Sequence, residues 1–226
     1  RPCMIPKGKQ KKTIKQQTLA IIIKTTKKNT NTKTKTNKHT HTHTKQNEQK
    51  TNRKINELNG VVLSAGPGSY TGLRVGTSAA KGFCVALNIP LIAVNTLDAM
   101  ASAFIEQNQP DKNLFICPIL DARRNEVFTG LYDADGNKIV AAGNLIVDEN
   151  FFSAFHQNEI LFFGSGAFKI ELLKNKFWKG FPDDVKPFSK NLHQIGLKKF
   201  KAGEFENLAA FEPYYLKPVF ITQSKK

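Results

Sequence analysis

The chain has 226 residues, 34 Lys and Arg against 18 Asp and Glu, and three scattered cysteines; that is long enough for one large domain or two lobes with a substantial core. No stretch approaches the roughly 18 consecutive apolar residues of a membrane span and no signal-peptide pattern is visible, so the expectation is a soluble, cytoplasmic protein. Cys3, Cys84 and Cys117 lack metal-ligand spacing and suit a reducing compartment better than a disulfide framework.

The net charge of +16 divides unevenly: residues 1–60 hold 16 basic and two acidic side chains, leaving 18 basic and 16 acidic in the remainder. The body is therefore close to neutral, and bulk charge does not mark it as a nucleic-acid binder. Residues 1–60 contain none of the 22 aromatics, and only Thr18 to Ile23 has apolar continuity. Read literally, residues 1–57 form a low-complexity basic segment that buries too little to offset its ordering entropy. A basic arm of this kind could hold tRNA phosphates, and His39, His41 and His43 could bind a metal, although a His-Thr repeat is simple low complexity. A third reading is misassigned sequence: Thr-His repeats are what an AC repeat encodes, and Lys, Thr, Asn, Gln and Ile are codons of A-rich DNA.

From Val61 the signals become regular. Val61, Val62 and Leu63 predict a buried strand, broken by Gly66-Pro67-Gly68. Pro67 presets one turn position, and the glycines permit positive φ or the close approach of another backbone or an anion. Ser69 or Thr71 is the expected N-cap of a helix over 72–87. That helix is apolar around most of its circumference, which predicts burial on more than one side. Gly76, Ala80 and Cys84 recur four apart, and small residues at that spacing admit a second helix. Asn88-Ile89-Pro90 ends the helix. Leu91 to Val94 reads as a second buried strand and Thr96 to Phe104 as a helix, completing a strand-helix-strand unit with parallel strands. The glycine spacing is neither that of a P-loop nor that of a dinucleotide fingerprint. The turn is either only a turn or an anion site at a helix start.

Beyond the polar connection Glu106 to Asn113, a strand interrupted by Pro118 is expected over Leu114 to Leu120, followed by Asp121-Ala122-Arg123-Arg124. Val127 to Tyr132 and Lys138 to Ala142 predict a hairpin about Asp133 to Asn137. Asp121 and Arg123 form either a strand-end ion pair or a polar cluster facing a cleft. Ile160 to Phe163, Gly164-Ser165-Gly166 and a helix over Ala167 to Leu173 repeat the strand-glycine-helix pattern. Phe177, Trp178 and Phe181 are assigned to core, Asn191 to Ala202 to an amphipathic helix, and Tyr214 and Tyr215 to an arm that packs back on the sheet. His193 is assigned to the helix surface. Ser64, Ser69, His193 and Asp98 are the ingredients of a serine-hydrolase triad, but nothing in the sequence brings them together.

GPGSYTGLRVG with AAKGFCVALNIPLIAVNTL, then Asp121 to Phe128, Phe162 to Ala167, and Glu212 to Leu216, in that order, resemble the TsaB (YeaZ) family of the glycoprotease-like superfamily over about residues 58–222. That family takes part in synthesis of threonylcarbamoyladenosine in ANN-decoding tRNAs. The resemblance implies an α/β chain of the actin/Hsp70-like ATPase architecture, two RNase-H-like lobes with mixed sheets and flanking helices. It divides the chain into 1–57, the rest of lobe 1 at 58–112, and lobe 2 with a carboxy-terminal arm at 113–226. It also implies a noncatalytic subunit of the modification complex, without the His-x3-His metal pair of the catalytic paralogue. The implied partners are a TsaD-like catalytic subunit and a TsaE-like ATPase, with tRNA met through the complex and a homodimer open to the isolated chain. No cofactor is expected on the chain itself, with ATP or ADP confined to the complex interface. Leu73, Gly76, Thr77, Ala80, Lys81 and Cys84 are the implied partner-binding helix face. Gly66, Gly68, Ser69, Thr71, Arg74, Asp121 and Arg123 are candidates for a phosphate or cleft site. The alternatives are a small nucleotide-binding enzyme and a tRNA binder acting through the basic arm.

Overall fold

The computed structural model describes residues 54–180 and 189–217. The expectations for residues 1–53 and for Phe181 lie outside that range. Among the described residues no helix is long and apolar enough to cross a membrane.

In lobe 1 the described residues from Val61 on form β1 (Val61–Gly66), α1 (Tyr70–Leu87), β2 (Leu91–Asn95) and α2 (Thr96–Asn108). β1 and β2 pair in parallel, with Val61 opposite Leu91 and Leu63 opposite Ala93. Both strands are apolar without alternation because both faces are covered. One face carries α1 through Ala80 and Cys84. The other carries a later helix, α4 (Ser189–Ala202), through Leu192, which meets Val62, Ile92 and Val94.

Lobe 2 is a five-stranded mixed sheet in the order β5-β4-β3-β6-β7. Its strands are β3 (Phe115–Asp121), β4 (Glu126–Tyr132), β5 (Lys138–Ile146), β6 (Ile160–Phe163) and β7 (Trp178–Gly180), with α3 (Ala167–Glu171) between the last two. β3, β4 and β5 form an antiparallel meander, while β3, β6 and β7 run parallel. The expected hairpin is present, and its second strand extends four residues past Ala142. Trp178 joins the lobe-2 core with Phe151, Phe162 and Ile170.

Two expectations change. β3 runs through Pro118 without interruption, with Pro118 paired to Phe163. Proline removes a donor from the ladder, and the buried Thr129 Oγ1 donates to the Pro118 carbonyl at 3.0 Å beside Cys117 Sγ at 3.2 Å, which keeps the local polar groups satisfied. The division at 112/113 also fails for the chain's end. Leu192 of α4 and Phe211 pack on opposite faces of the β1–β2 pair, so this late segment completes lobe 1.

The lobes share α2. Leu97, Met100 and Phe104 pack against Ile116, Tyr132 and Phe163, and Phe104 stacks on Phe163 with centroids 4.6 Å apart. Asn95 caps α2 by accepting from the Leu97 and Asp98 amides at 2.8 and 3.4 Å. On the lobe-2 side Asp98 accepts from Tyr132 Oη at 2.8 Å and pairs with Lys138 at 2.9 Å.

Candidate functional site

Opposite α2, the two lobes leave a cleft of about 910 Å³. Lobe 1 contributes the start of α1. β1 ends at Gly66, whose φ of +118° is open to glycine. A Cβ there would lie 2.7 Å from the Tyr214 carbonyl oxygen, so the turn is glycine because the carboxy-terminal arm passes against it. Ser69 occupies the N-cap position, but its side chain bonds no helix amide, and Thr71 is the second helical residue. The first turn of α1 therefore has no side-chain cap and no acidic residue.

Lobe 2 contributes the turn after β3. Arg123 and Arg124 both take positive φ, 67° and 46°, uncommon for side chains of this size. Asp121 holds the turn: its Oδ1 accepts from the Arg123 amide at 3.0 Å and from Lys169 Nζ at 2.6 Å, while its own amide donates to Ser165 Oγ at 3.1 Å. Lys169 is only 6 % exposed and also donates to the Glu126 carbonyl at 2.8 Å. Glu126 Oε1 accepts from Lys217 at 2.8 Å, and its Oε2 accepts from Asn144 Nδ2. Partial burial pushes the Asp121 carboxyl up, but hydrogen bonds from Lys169 and the Arg123 amide, with their charges, hold it below the usual carboxylate range. The Lys217 and Asn144 hydrogen bonds do the same for Glu126. Both acids are thus ionised and paired at neutral pH, which suits scaffolding better than proton transfer.

The arm closes one end of the cleft. The Tyr214 amide donates to the Ala65 carbonyl at 2.8 Å, the Tyr215 ring meets Tyr70 at 4.9 Å between centroids, and Lys217 crosses to lobe 2. The tyrosine rings thus line the cleft and remain partly exposed rather than packing back on the sheet as expected.

Of the expected cleft residues, Gly68, Ser69, Thr71, Asp121 and Arg123 line one cavity. Gly66 sits against the Tyr214 backbone and Leu73, and Arg74 stacks over Tyr70 with its guanidinium carbon 5.2 Å from the ring centre. The expected partner face is placed differently. Gly76, Thr77, Ala80 and Cys84 are the buried strip of α1, and Ala80 and Cys84 pack on Val61, Leu63 and Ala93. They are small because the helix lies close on its own sheet. Leu73 and Lys81 are half-buried. The accessible strip is Arg74, Ser78, Gly82, Val85 and Ala86, so among the described residues α1 is buried on one side.

Burial raises the Cys84 thiol to about 11, and burial of Cys117 raises its thiol to about 12 despite a hydrogen bond to Thr129. Neither is a nucleophile at neutral pH. His156 is structural, with Nε2 3.1 Å from the Phe151 carbonyl and its ring edge-on to Trp178, while His193 is exposed on α4 as expected. Among the described residues no group of three His, Cys, Asp or Glu could hold a metal.

Sequence reasoning missed Lys169 and Lys217. Each is one lysine among 34 basic residues, and each meets its partner across a long stretch of chain that no local pattern encodes.

A family model described as "TsaD: tRNA N6-adenosine threonylcarbamoyltransferase" matches residues 35–213. The chain is 43 % identical over 76 residues to the tRNA threonylcarbamoyladenosine biosynthesis protein TsaB of Bacillus subtilis, covering 34 % of this chain and 31 % of that protein. With TsaB of Escherichia coli it shares 33 % over 85 residues, 38 % of this chain and 36 % of the relative. The matched stretch thus spans about a third of the length of these curated relatives. In three dimensions it is similar to the solved YeaZ of Pseudomonas aeruginosa, with TM-score 0.61 and 19 % identity over 75 % of this chain and 79 % of that one. An uncharacterised P. aeruginosa protein similar to peptidase YEAZ gives TM-score 0.63 and 19 % identity over 76 % and 80 %. These structural likenesses establish the α/β fold with its mixed sheet. The family match over 35–213 and the sequence similarity to TsaB proteins place the chain in the TsaD, glycoprotease-like family, on its TsaB/YeaZ branch.

Proposed function

We propose that this chain is a noncatalytic subunit of the complex that makes threonylcarbamoyladenosine in tRNA, holding a TsaD-like catalytic subunit against the outer strip of α1. On this reading the lobes are those of the actin/Hsp70-like ATPase architecture, the protein works in the cytoplasm, and tRNA and a TsaE-like ATPase are met through the complex. ATP or ADP belongs to the shared interface.

The observation that carries the reading is the outer strip itself. Val85 is 70 % exposed, and a Cβ added at Gly82 would meet nothing within 4 Å. Among the described residues the helix is long and open on the side away from its sheet, as expected of a helix that packs on a second protein. The paired state of Asp121 and Glu126 and the raised thiols agree with a supporting role.

Copurification with a TsaD-like subunit tests this. Val85→Glu and Gly82→Arg should each weaken association by about tenfold or more, equivalent to ~1.4 kcal/mol, with the fold intact. Undiminished copurification of both would remove the interface from this strip.

A second reading, a small nucleotide-binding enzyme, is favoured by Arg123 and Arg124 lining the same cleft as the uncapped start of α1. Titration calorimetry of the isolated chain with ATP and ADP separates the two. The subunit reading expects weak binding or none, and tight binding would favour the enzyme.

A further inference from the structure

The carboxy-terminal arm is fixed to the two lobes in unequal ways. On lobe 1 its hold is broad. Phe211 sits in the core with Ala80 and Cys84, and the Tyr214 amide donates to the Ala65 carbonyl at 2.8 Å. The Tyr214 carbonyl presses on the turn closely enough that a Cβ at Gly66 would lie 2.7 Å from its oxygen. Tyr215 then meets Tyr70 at 4.9 Å between centroids, and Arg74 covers Tyr70 in turn. Backbone, apolar and aromatic contacts thus all tie residues 211–215 to β1 and α1.

On lobe 2 the arm holds by a side chain. Lys217 Nζ donates to Glu126 Oε1 at 2.8 Å and reaches the Ala122 carbonyl at 3.5 Å. Both contacts rest on one ammonium at the end of a flexible four-carbon stem, and the paired side chains remain 28 % and 21 % exposed. The receiving end is prearranged. Glu126 Oε2 accepts from Asn144, the Glu126 carbonyl accepts from the buried Lys169 at 2.8 Å, and the same Lys169 holds Asp121. A flexible cation on one lobe that meets a fixed carboxylate on the other can let go and return without disturbing either lobe. This contact borders the cleft on the side away from α2, where Leu97, Met100 and Phe104 join the lobes to Phe163. The chain leaves α2 at Gln109, whose φ is +44°, and reaches β3 through a short polar connection. Such element ends can absorb a hinge rotation.

We propose that Lys217 and Glu126 form a releasable catch on the cleft. Engaged, it holds lobe 2 to the arm and so to lobe 1. Released, the lobes part about the shared α2 core while the arm stays on lobe 1. A partly exposed ion pair contributes little, so the catch sets an equilibrium between a narrow and a wide cleft rather than locking one of them. It acts within this chain and stands whether or not a partner takes the outer strip of α1.

Site-resolved thiol labelling of the full chain carrying Ala122→Cys, read by peptide mass mapping, tests the proposal. The Ala122 side chain lines the cleft beside the catch and is 6 % exposed, so the new thiol reacts when the cleft widens. An unchanged melting temperature checks that this reporter keeps the fold. Cys84 and Cys117, in the cores of lobe 1 and lobe 2, report unfolding of either. Lys217→Met and Glu126→Gln should each raise the labelling rate at position 122 about two- to fivefold, as expected from loss of one partly exposed pair. Lys217→Arg should stay close to the parent. Methionine keeps the length of the stem and Glu126→Gln leaves Lys217 in place, so neither uncovers position 122 directly. Labelling at Cys84 and Cys117 and amide exchange at Tyr214 should not change. Equal labelling at position 122 in all the chains overturns the proposal. So does a matching rise at Cys117, which would mean that lobe 2 unfolds, or faster exchange at Tyr214, which would mean that the arm peels from lobe 1. Lys217→Arg labelled as fast as Lys217→Met also overturns it, since the charge would then hold nothing.

Discussion

Each lobe contains a strand, a positive-φ glycine, a helix and a parallel strand, and the two copies have been put to different uses. Gly66 and Gly164 have φ of +118° and +106°. In lobe 2 the helix that follows is five residues long and sends the buried Lys169 into the cleft wall. In lobe 1 it is 18 residues long and extends past what its sheet can cover, leaving an outer strip open among the described residues. The local turn is thus a general solution for changing direction at a sheet end, and function follows from the helix after it.

The largest test of that contrast compares the two sides of α1. Ala80→Glu puts a carboxylate into a site with no exposure and should cost roughly 3–5 kcal/mol, as an unpaired buried charge does. Val85→Glu should leave stability within about 0.5 kcal/mol. Chemical denaturation of the two variants measures both, and equal costs would mean that the outer strip is not free. Cys84→Arg belongs with Ala80→Glu, since either would weaken any association by damaging lobe 1.

The glycines come next. A Cβ at Gly164 lies 2.4 Å from the Ile119 carbonyl oxygen and 2.9 Å from Met100 Cε, within a central strand and the shared helix. At Gly66 the obstacle is the arm at Tyr214, which can lift. Gly164→Ala should therefore cost about 3 kcal/mol from strain plus overpacking. Gly66→Ala should cost about half that, with the difference appearing as increased amide exchange at Tyr214.

Smaller effects concern the lysines. Lys169→Met should cost ~1–2 kcal/mol, because the Glu126 carbonyl loses its donor while Asp121, 41 % exposed at its side chain, turns to water. Lys217→Ala should cost less than about 1 kcal/mol, as expected of a partly exposed pair. The pH dependence follows with a definite sign. Asp121 and Glu126 have depressed folded pKa values, so their stabilisation is complete above the ordinary carboxylate range near pH ~4 and is lost as pH falls below it. Thermal melts from neutral to acidic pH should steepen there, and Asp121→Asn with Glu126→Gln should flatten the curve.

Much of this fold was legible because its strands are short apolar runs bounded by glycine, proline or asparagine. Strand β6 coincides with the expected bounds, and β2 extends them by one residue. The ends of α1 and α2 fell two to four residues outside expectation, since polar terminal turns carry no periodic signal. Small residues at fourfold spacing fit a close sheet as well as a close helix, and Ala80 and Cys84 of α1 lie on the β1–β2 pair. Pro118 was read as a break because the compensating Thr129 hydroxyl sits on another strand. The cleft was half visible: the glycine turn and Asp121 to Arg124 stood out, whereas Lys169 and Lys217 arrive from distant segments.

Among the described residues, the last packed segment belongs to the first lobe. Leu192 and Phe211 cover opposite faces of the β1–β2 pair, whereas all five strands of lobe 2 lie between Phe115 and Gly180. During synthesis on the ribosome, lobe 2 can therefore finish as soon as it emerges. Lobe 1, begun earlier, has to wait with exposed apolar strands until Leu192 and Phe211 have been made. A nascent chain stalled before residue 189 should hold a protease-resistant lobe 2 beside a sensitive β1–β2 unit, so the demand for chaperone cover falls on the earlier-made half.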